Sequence, residues 1–193
     1  VYTSPVTSEL LDGDIGYIRI KNFEEGCADA AIAAIDGLRD QGAKSIIFDV
    51  RSNPGGLVSQ LTKLLDYILP EGDIFVSCNK AGKESVTRSD AACVELPMAV
   101  LFNADSYSAA EFFAAALKEY DWAVTVGEQS TGKGRSQITI NLADGSAVHI
   151  STNVYLTPDR VDLSKVGGLT PDYPVENSTE NDAQLQKAIE ILS

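Results

Sequence analysis

The feature that most constrains this chain is a pattern of short apolar runs, each followed by a turn and then by a segment of helical period. Ser45–Val50, Pro97–Asn103 and Ala123–Val126 are apolar or β-branched over nearly their whole length. Runs this short, without polar alternation, read as strands buried inside a sheet. The segments between them differ in period. Ala28–Asp40 places Ile32, Ile35 and Leu38 on one face, with Gly42 just beyond its end. Leu57–Leu69 directs Leu57, Leu61, Leu64, Leu65 and Ile68 inward and is stopped by Pro70 and Gly72. Ala109–Lys118 is an alanine-rich helix. These spacings and stops are those of amphipathic helices. Strands joined by helices run mostly parallel, because a parallel crossover needs a connection of helix length. The chain is therefore expected to be α/β, a mainly parallel sheet covered by helices.

The remaining segments complete the order. Val1–Asp14 is polar and reads as an extended lead-in, and Ile15–Ile20 alternates as a strand does. Ile74–Cys78 is a strand, and the polar stretch Asn79–Ala92 is an exposed excursion. Ser136–Leu142 and Ser146–Leu156 flank Ala143-Asp144-Gly145, which predicts a hairpin. Leu156–Asp172 reads as irregular, and Asp182–Leu192 as a closing helix with Leu185, Ala188, Ile189 and Leu192 on one face. No repeat or linker divides the 193 residues, so 1–193 is one domain. The chain opens on Val1 without a secretory signal, as a mature or excised fragment would.

Composition removes several classes of function. A net charge of −13 opposes nucleic acid and anionic membranes as partners. No apolar run approaches the ~18 residues of a membrane span. Cys27, Cys78 and Cys93, odd in number and widely spaced, are neither a disulfide framework nor a metal site and read as buried free thiols. His149 is the single histidine and lies on an alternating strand. A Ser-His-Asp triad or a catalytic cysteine would need it, and there is no G-x-S-x-G elbow.

The chemistry concentrates in Asn103–Gln137. A serine between a strand and a helix sits beside unpaired N–H groups and the positive end of a dipole. Serine is a weak nucleophile until a base takes its proton. Asp105, Ser106 and Ser108 could each be a plain helix cap, and the turn itself does not choose between the two serines. Lys133, bracketed by Gly132 and Gly134, could be the base. It would have to be neutral, with a pKa brought from about 10.4 to roughly 7–8, which burial can achieve. A bare G-K-G is more often a surface turn, and it is not a phosphate loop because Gly134 follows the lysine. Gln137 could hold the amine or be a polar residue on an exposed strand face. Gly55 and Gly56, after Asn53-Pro54, could present backbone N–H groups to an oxyanion or form a simple tight turn. Glu111 fits helix-start stabilisation and Glu128 a strand-end contact; nothing in the spacing singles out two acids as a catalytic pair.

Taken in order, Gly13–Ile18, Asp49-Val50-Arg51-Ser52-Asn53-Pro54-Gly55-Gly56, Ser106-Tyr107-Ser108-Ala109-Ala110-Glu111, Gly132-Lys133-Gly134, Thr157-Pro158 and Gly168-Leu169-Thr170-Pro171-Asp172 resemble the C-terminal processing proteases. These are S41 serine endopeptidases with a Ser/Lys dyad, whose nucleophile lies in a run like S-A-S-A-S-E. The resemblance implies a ClpP/crotonase-like fold with Ser108 as nucleophile, Lys133 as base and Gln137 positioning the lysine. It also implies an oxyanion hole from a glycine N–H at 55 or 56 and that of Ala109, with neither metal nor cofactor. The implied partners are protein or peptide substrates cut near their C-termini. Bacterial members act in the cell envelope or outside the cell and usually carry a PDZ domain before this core. Tyr107 and Ala110 depart from the family run, and Tyr107 sets a bulky ring beside the nucleophile. The alternative is a non-catalytic ligand- or peptide-binding module of the same fold, like the retinoid-binding repeats of the eye. Retention of Ser108, Lys133 and Gln137 together argues against it. An acyl-CoA enzyme of the crotonase type would need a basic phosphate patch, which the sequence does not offer.

Overall fold

A computed structural model describes residues 4–177 and 181–193; the side chains of Ile138 and His149 lie outside the described set, and with them the reading of the histidine ring. The chain runs β1 (Val6–Leu11), β2 (Ile15–Ile20), α1 (Cys27–Asp40), β3 (Ser45–Asp49), α2 (Val58–Ile68), β4 (Gly72–Cys78), β5 (Glu84–Ser89) and β6 (Met98–Phe102). It continues α3 (Ala109–Glu119), β7 (Ala123–Gly127), β8 (Arg135–Asn141), β9 (Ala147–Leu156), α4 (Leu163–Val166), β10 (Tyr173–Pro174) and α5 (Ala183–Leu192).

The main sheet has the order β1-β2-β3-β6-β7-β10. All its neighbours are parallel except β1, which pairs antiparallel with β2. Its central strands are apolar on both faces because both faces are covered. Ile46, Phe48, Val100 and Phe102 point into a core shared with α1, α2 and α3, while Ile47, Ala99 and Leu101 point the other way, against Ala188 and Leu185 of α5. Each large side chain so buried contributes about 1.5–3 kcal/mol, which is what holds the two helical layers onto the strands.

A second, antiparallel sheet has the order β5-β4-β9-β8. It is fastened to α3 by three rings, Phe75 of β4, Phe112 of α3 and Tyr155 of β9, which meet edge-on with centroids 4.9–6.0 Å apart. That contact brings the beginning of β8 to the N-terminal end of α3.

Three segments differ from the reading of the sequence, each for a physical reason. The lead-in contains β1, whose side chains are mostly exposed, so that it is held by main-chain pairing rather than by apolar burial. The polar excursion contains β5, a sheet-edge strand exposed along nearly all its length, which leaves no hydropathy signal. The irregular stretch after Leu156 contains the single-turn α4, capped by the Asp162 side chain accepting from the Ser164 N–H. Leu57, expected inward, stands at the N-cap of α2 and is 42% exposed.

Candidate active site

Two turns leave the C-terminal ends of the adjacent parallel strands β3 and β6, the end at which open α/β sheets carry their sites. Buried polar groups knit them together. The Asn103 side chain accepts the Ser52 N–H at 2.8 Å, and the Tyr107 N–H donates to the Asn53 carbonyl at 3.1 Å. Ser106 is wholly buried; its Oγ donates to the Val50 carbonyl at 2.8 Å and accepts the Asn103 N–H at 3.0 Å. Ser106 is thus spent on structure, and Ser108 is the serine that reaches the cavity.

Ser108 lies at φ 58°, ψ −125° just before α3. A left-handed φ at a non-glycine residue costs on the order of 1–3 kcal/mol and persists only where the surroundings over-determine it. The surroundings here are Gly55 and Glu111. A Cβ on Gly55 would fall 2.8 Å from the Ser108 Cβ and 3.0 Å from the Ala109 nitrogen, so only glycine lets the first turn approach the second this closely. Glu111, in the first turn of α3 and 0% exposed, accepts the Ser108 N–H at 2.8 Å. The same carboxylate accepts the Ser130 hydroxyl at 2.5 Å and the Gly132 and Lys133 N–H groups at 2.6 and 2.9 Å. One buried side chain therefore joins the serine turn to the lysine loop. From the sequence Glu111 has only its helix-start role; its spacing of three from Ser108 is that of a capping box, and that is the available signal.

The glycines after Pro54 have unequal parts. The Gly55 N–H donates to the Asn53 side chain at 2.8 Å and is already committed. Gly56 is held against Phe23, where an added Cβ would fall 2.5 Å from the Phe23 carbonyl. The two hydrogen bonds of that contact use the Phe23 and Leu57 N–H groups and leave the Gly56 N–H out.

Beneath this turn lies an ionic network. Asp49, 0% exposed, accepts from the Arg51 guanidinium, from Arg19 at 2.6 Å and from the Tyr17 hydroxyl at 2.6 Å. Burial pushes the Asp49 carboxyl upward, but Arg51, Arg19 and Tyr17 outweigh it and hold it below its ordinary range. Arg51 also grips Asp182, at the start of α5, through both carboxylate oxygens at 2.7 and 2.8 Å.

Lys133 and Gln137 reach the same cavity from the other sheet. A space of about 390 Å³ is lined by Gly55, Gly56, Ser108, Lys133 and Gln137, with Glu24, Arg135 and Tyr155 at its walls. Both Lys133 and Gln137 are exposed, so the burial expected of the lysine is not present in this conformation. The Lys133 Nζ lies 5.3 Å from the centroid of the Tyr107 ring, a cation–π contact, and not in a hydrogen bond to Ser108. A larger cavity of about 500 Å³, between Trp122, Lys118, Asp172 and the end of α5, lies at the opposite ends of β6 and β7 and contains no comparable nucleophile. All three cysteines are free; Cys27 is buried, which pushes its thiol up to about 12, whereas Cys78 and Cys93 are half-buried.

Residues 14–175 match the family model described as Peptidase family S41. The chain is 34% identical to a carboxyl-terminal-processing protease of Synechocystis sp., an alignment that covers 98% of this chain and 47% of the relative. It is 37% identical to the carboxy-terminal processing protease CtpA of Bacillus subtilis, over 84% of this chain and 35% of the relative. Among solved structures, a photosystem II D1 C-terminal processing protease superposes with a TM-score of 0.84 at 28% identity, over all of this chain and 53% of that one. The chain spans about half the length, or less, of the relatives it matches. It belongs to the S41 peptidase family, with the α/β architecture expected of it.

Proposed function

We propose that this S41 chain is the core of a serine-type endopeptidase that works through Ser108 and Lys133. The observation that carries the reading is a strained serine at a helix N-terminus and a glycine-bracketed lysine lining one cavity, tied by the Glu111 carboxylate. In this mechanism the Lys133 side chain swings off Tyr107 toward Ser108, and Gln137 orients its amine. The neutral amine takes the Ser108 hydroxyl proton as Oγ bonds to the peptide carbonyl carbon. The resulting oxyanion sits between the N–H groups of Gly56 and Ala109; the sequence offered Gly55 as well, but its N–H is bound to Asn53. The ammonium returns its proton to the leaving nitrogen as the C–N bond breaks, and water then hydrolyses the acyl ester.

The substrates proposed are protein chains cut near their C-termini, as the relatives' names describe for those proteins. A PDZ domain elsewhere in the whole protein is the proposed presenting partner. The test is hydrolysis of an unfolded polypeptide by wild type, Ser108→Ala and Lys133→Ala. Wild type is expected to cut, and each variant to lose about 10⁴-fold or more of kcat. Equal cutting by Lys133→Ala would remove the lysine from the mechanism. Capture of an apolar ligand without any hydrolysis by wild type would favour the binding-module alternative.

A further inference from the structure

The cavity that holds Ser108 continues into an open sheet edge. Among the described residues β8 pairs with β9 alone, and its first residues, Arg135, Ser136 and Gln137, line the cavity. The hairpin's register fixes which main-chain groups face outward. The Leu142 N–H donates to the Ser146 carbonyl at 2.8 Å. Hydrogen-bonded and non-hydrogen-bonded pairs alternate in an antiparallel ladder, so Ile140↔Val148 is again a bonded pair, and Gln137↔Ser151, Thr139↔His149 and Asn141↔Ala147 are of the other kind. In pairs of the second kind, N–H and C=O point away from the partner strand. Gln137 and Asn141 thus turn donors and acceptors toward the open edge, starting at the cavity. On one face of the same hairpin, Ile140, Leu142, Val148 and Ile150 are each 40–45% exposed.

We infer that this edge of β8 is the docking strand for the substrate chain. The occupant is an extended peptide with apolar side chains at alternate positions. It pairs with β8 through main-chain hydrogen bonds, lays its apolar side chains beside Ile140 and Leu142, and delivers its next peptide bond to Ser108. Strand addition draws affinity from the main chain and selectivity from every second side chain, which suits an enzyme acting on unfolded chain ends. An exposed edge of this kind invites pairing with another chain, and its continuity with the cavity makes the substrate the partner that fits. What becomes of the bound peptide rests on the protease reading; its binding does not.

The test measures fluorescence anisotropy of a fluorescein-labelled dodecapeptide, valine at every second position and serine or lysine between, against the Ser108→Ala chain. Two N-methylated versions are compared, one methylated on the valine amides and one on the intervening amides. Only one set can face β8, so one version should lose affinity by about fivefold per blocked amide and the other should change by less than about twofold. Asn141→Pro, which removes an outward N–H without touching the β8–β9 ladder, should weaken binding about fivefold, and Asn141→Ala should not. Equal binding of the two methylated versions, no difference between Asn141→Pro and Asn141→Ala, or no binding at all would overturn the docking strand. Selective binding without cleavage of the peptide by the Ser108-intact chain would sink the protease reading and leave the edge standing.

Discussion

The turn that carries Ser108 and the loop that carries Lys133 hydrogen-bond to one carboxylate, that of Glu111, yet they are built differently. The serine turn follows a strand buried on both faces and is stapled to its neighbour through Ser52, Asn53 and Val50. Its key residue is strained and half-buried. The lysine loop has a fixed main chain: Gly132 is packed within 2.8 Å, measured from an added Cβ, of the Gly168 nitrogen, and the Thr131 hydroxyl donates to the Ala104 carbonyl at 2.7 Å. Its side chain is exposed and rests on Tyr107. A nucleophile must be in place before the substrate arrives, because its geometry sets the attack angle. A base on a long flexible stem can be delivered afterwards, when substrate has displaced water from the cavity.

Three substitutions sharpen or break this contrast. The largest effect is expected from Glu111→Ala, which strips the acceptor from one hydroxyl and three N–H groups. Leaving such donors unpaired costs about 1–3 kcal/mol each when no water replaces the acceptor. We expect a stability loss of about 3 kcal/mol by urea unfolding and a fall of at least about 100-fold in hydrolysis. Unaltered unfolding would mean that the carboxylate does not tie the two halves together. Next is Gly55→Ala, whose methyl would enter the 2.8 Å gap to the Ser108 Cβ at a φ of +90°. It should cost about 1–3 kcal/mol and lower kcat about tenfold with little change in KM; a wild-type kcat would show that the serine turn is not held from this side. The smallest is Tyr107→Leu. Removing an exposed cation–π contact worth about 0.5–1 kcal/mol should shift kcat about two- to fivefold while leaving unfolding within about 0.5 kcal/mol of wild type. A large loss of stability here would place Tyr107 in the framework rather than at the lysine's resting place.

The division between what the sequence disclosed and what it hid follows the same contrast. Buried elements leave a record in residue type: β3, β6 and the inward faces of α1 and α2 are legible because their surroundings are filled mostly by apolar groups, with Asp49 and Gln60 as buried exceptions. Strands whose side chains face water, β1 and β5, left none, since main-chain pairing imposes little on side-chain chemistry. The choice of Ser108 over Ser106 rested on a family run rather than on the residues, and the physical distinction, a hydroxyl consumed by the Val50 carbonyl, is a long-range contact invisible in a local turn. For Gly55 the contact is local, since its N–H is committed to an asparagine two positions earlier, but N-P-G-G reads as a turn whichever way that N–H points. The exposed resting position of Lys133 was the least legible of all, because a lysine on a glycine turn has many rotamers and the sequence constrains none of them.

The grip of Arg51 on Asp182 spans most of the chain's length and has a practical consequence at the bench. The start of the last helix is pinned to the turn that carries Gly56, while its final residues, Ile191 and Leu192, lie beside Pro97 and Trp122 at the other end of the sheet. An affinity tag or immobilising linker placed after Ser193 would leave from the end remote from the anchor, whereas one placed ahead of β1 would leave beside Ile20, whose carbonyl accepts the Asn53 side chain of that same turn. Fusions for assay or display are best joined at the back of the chain.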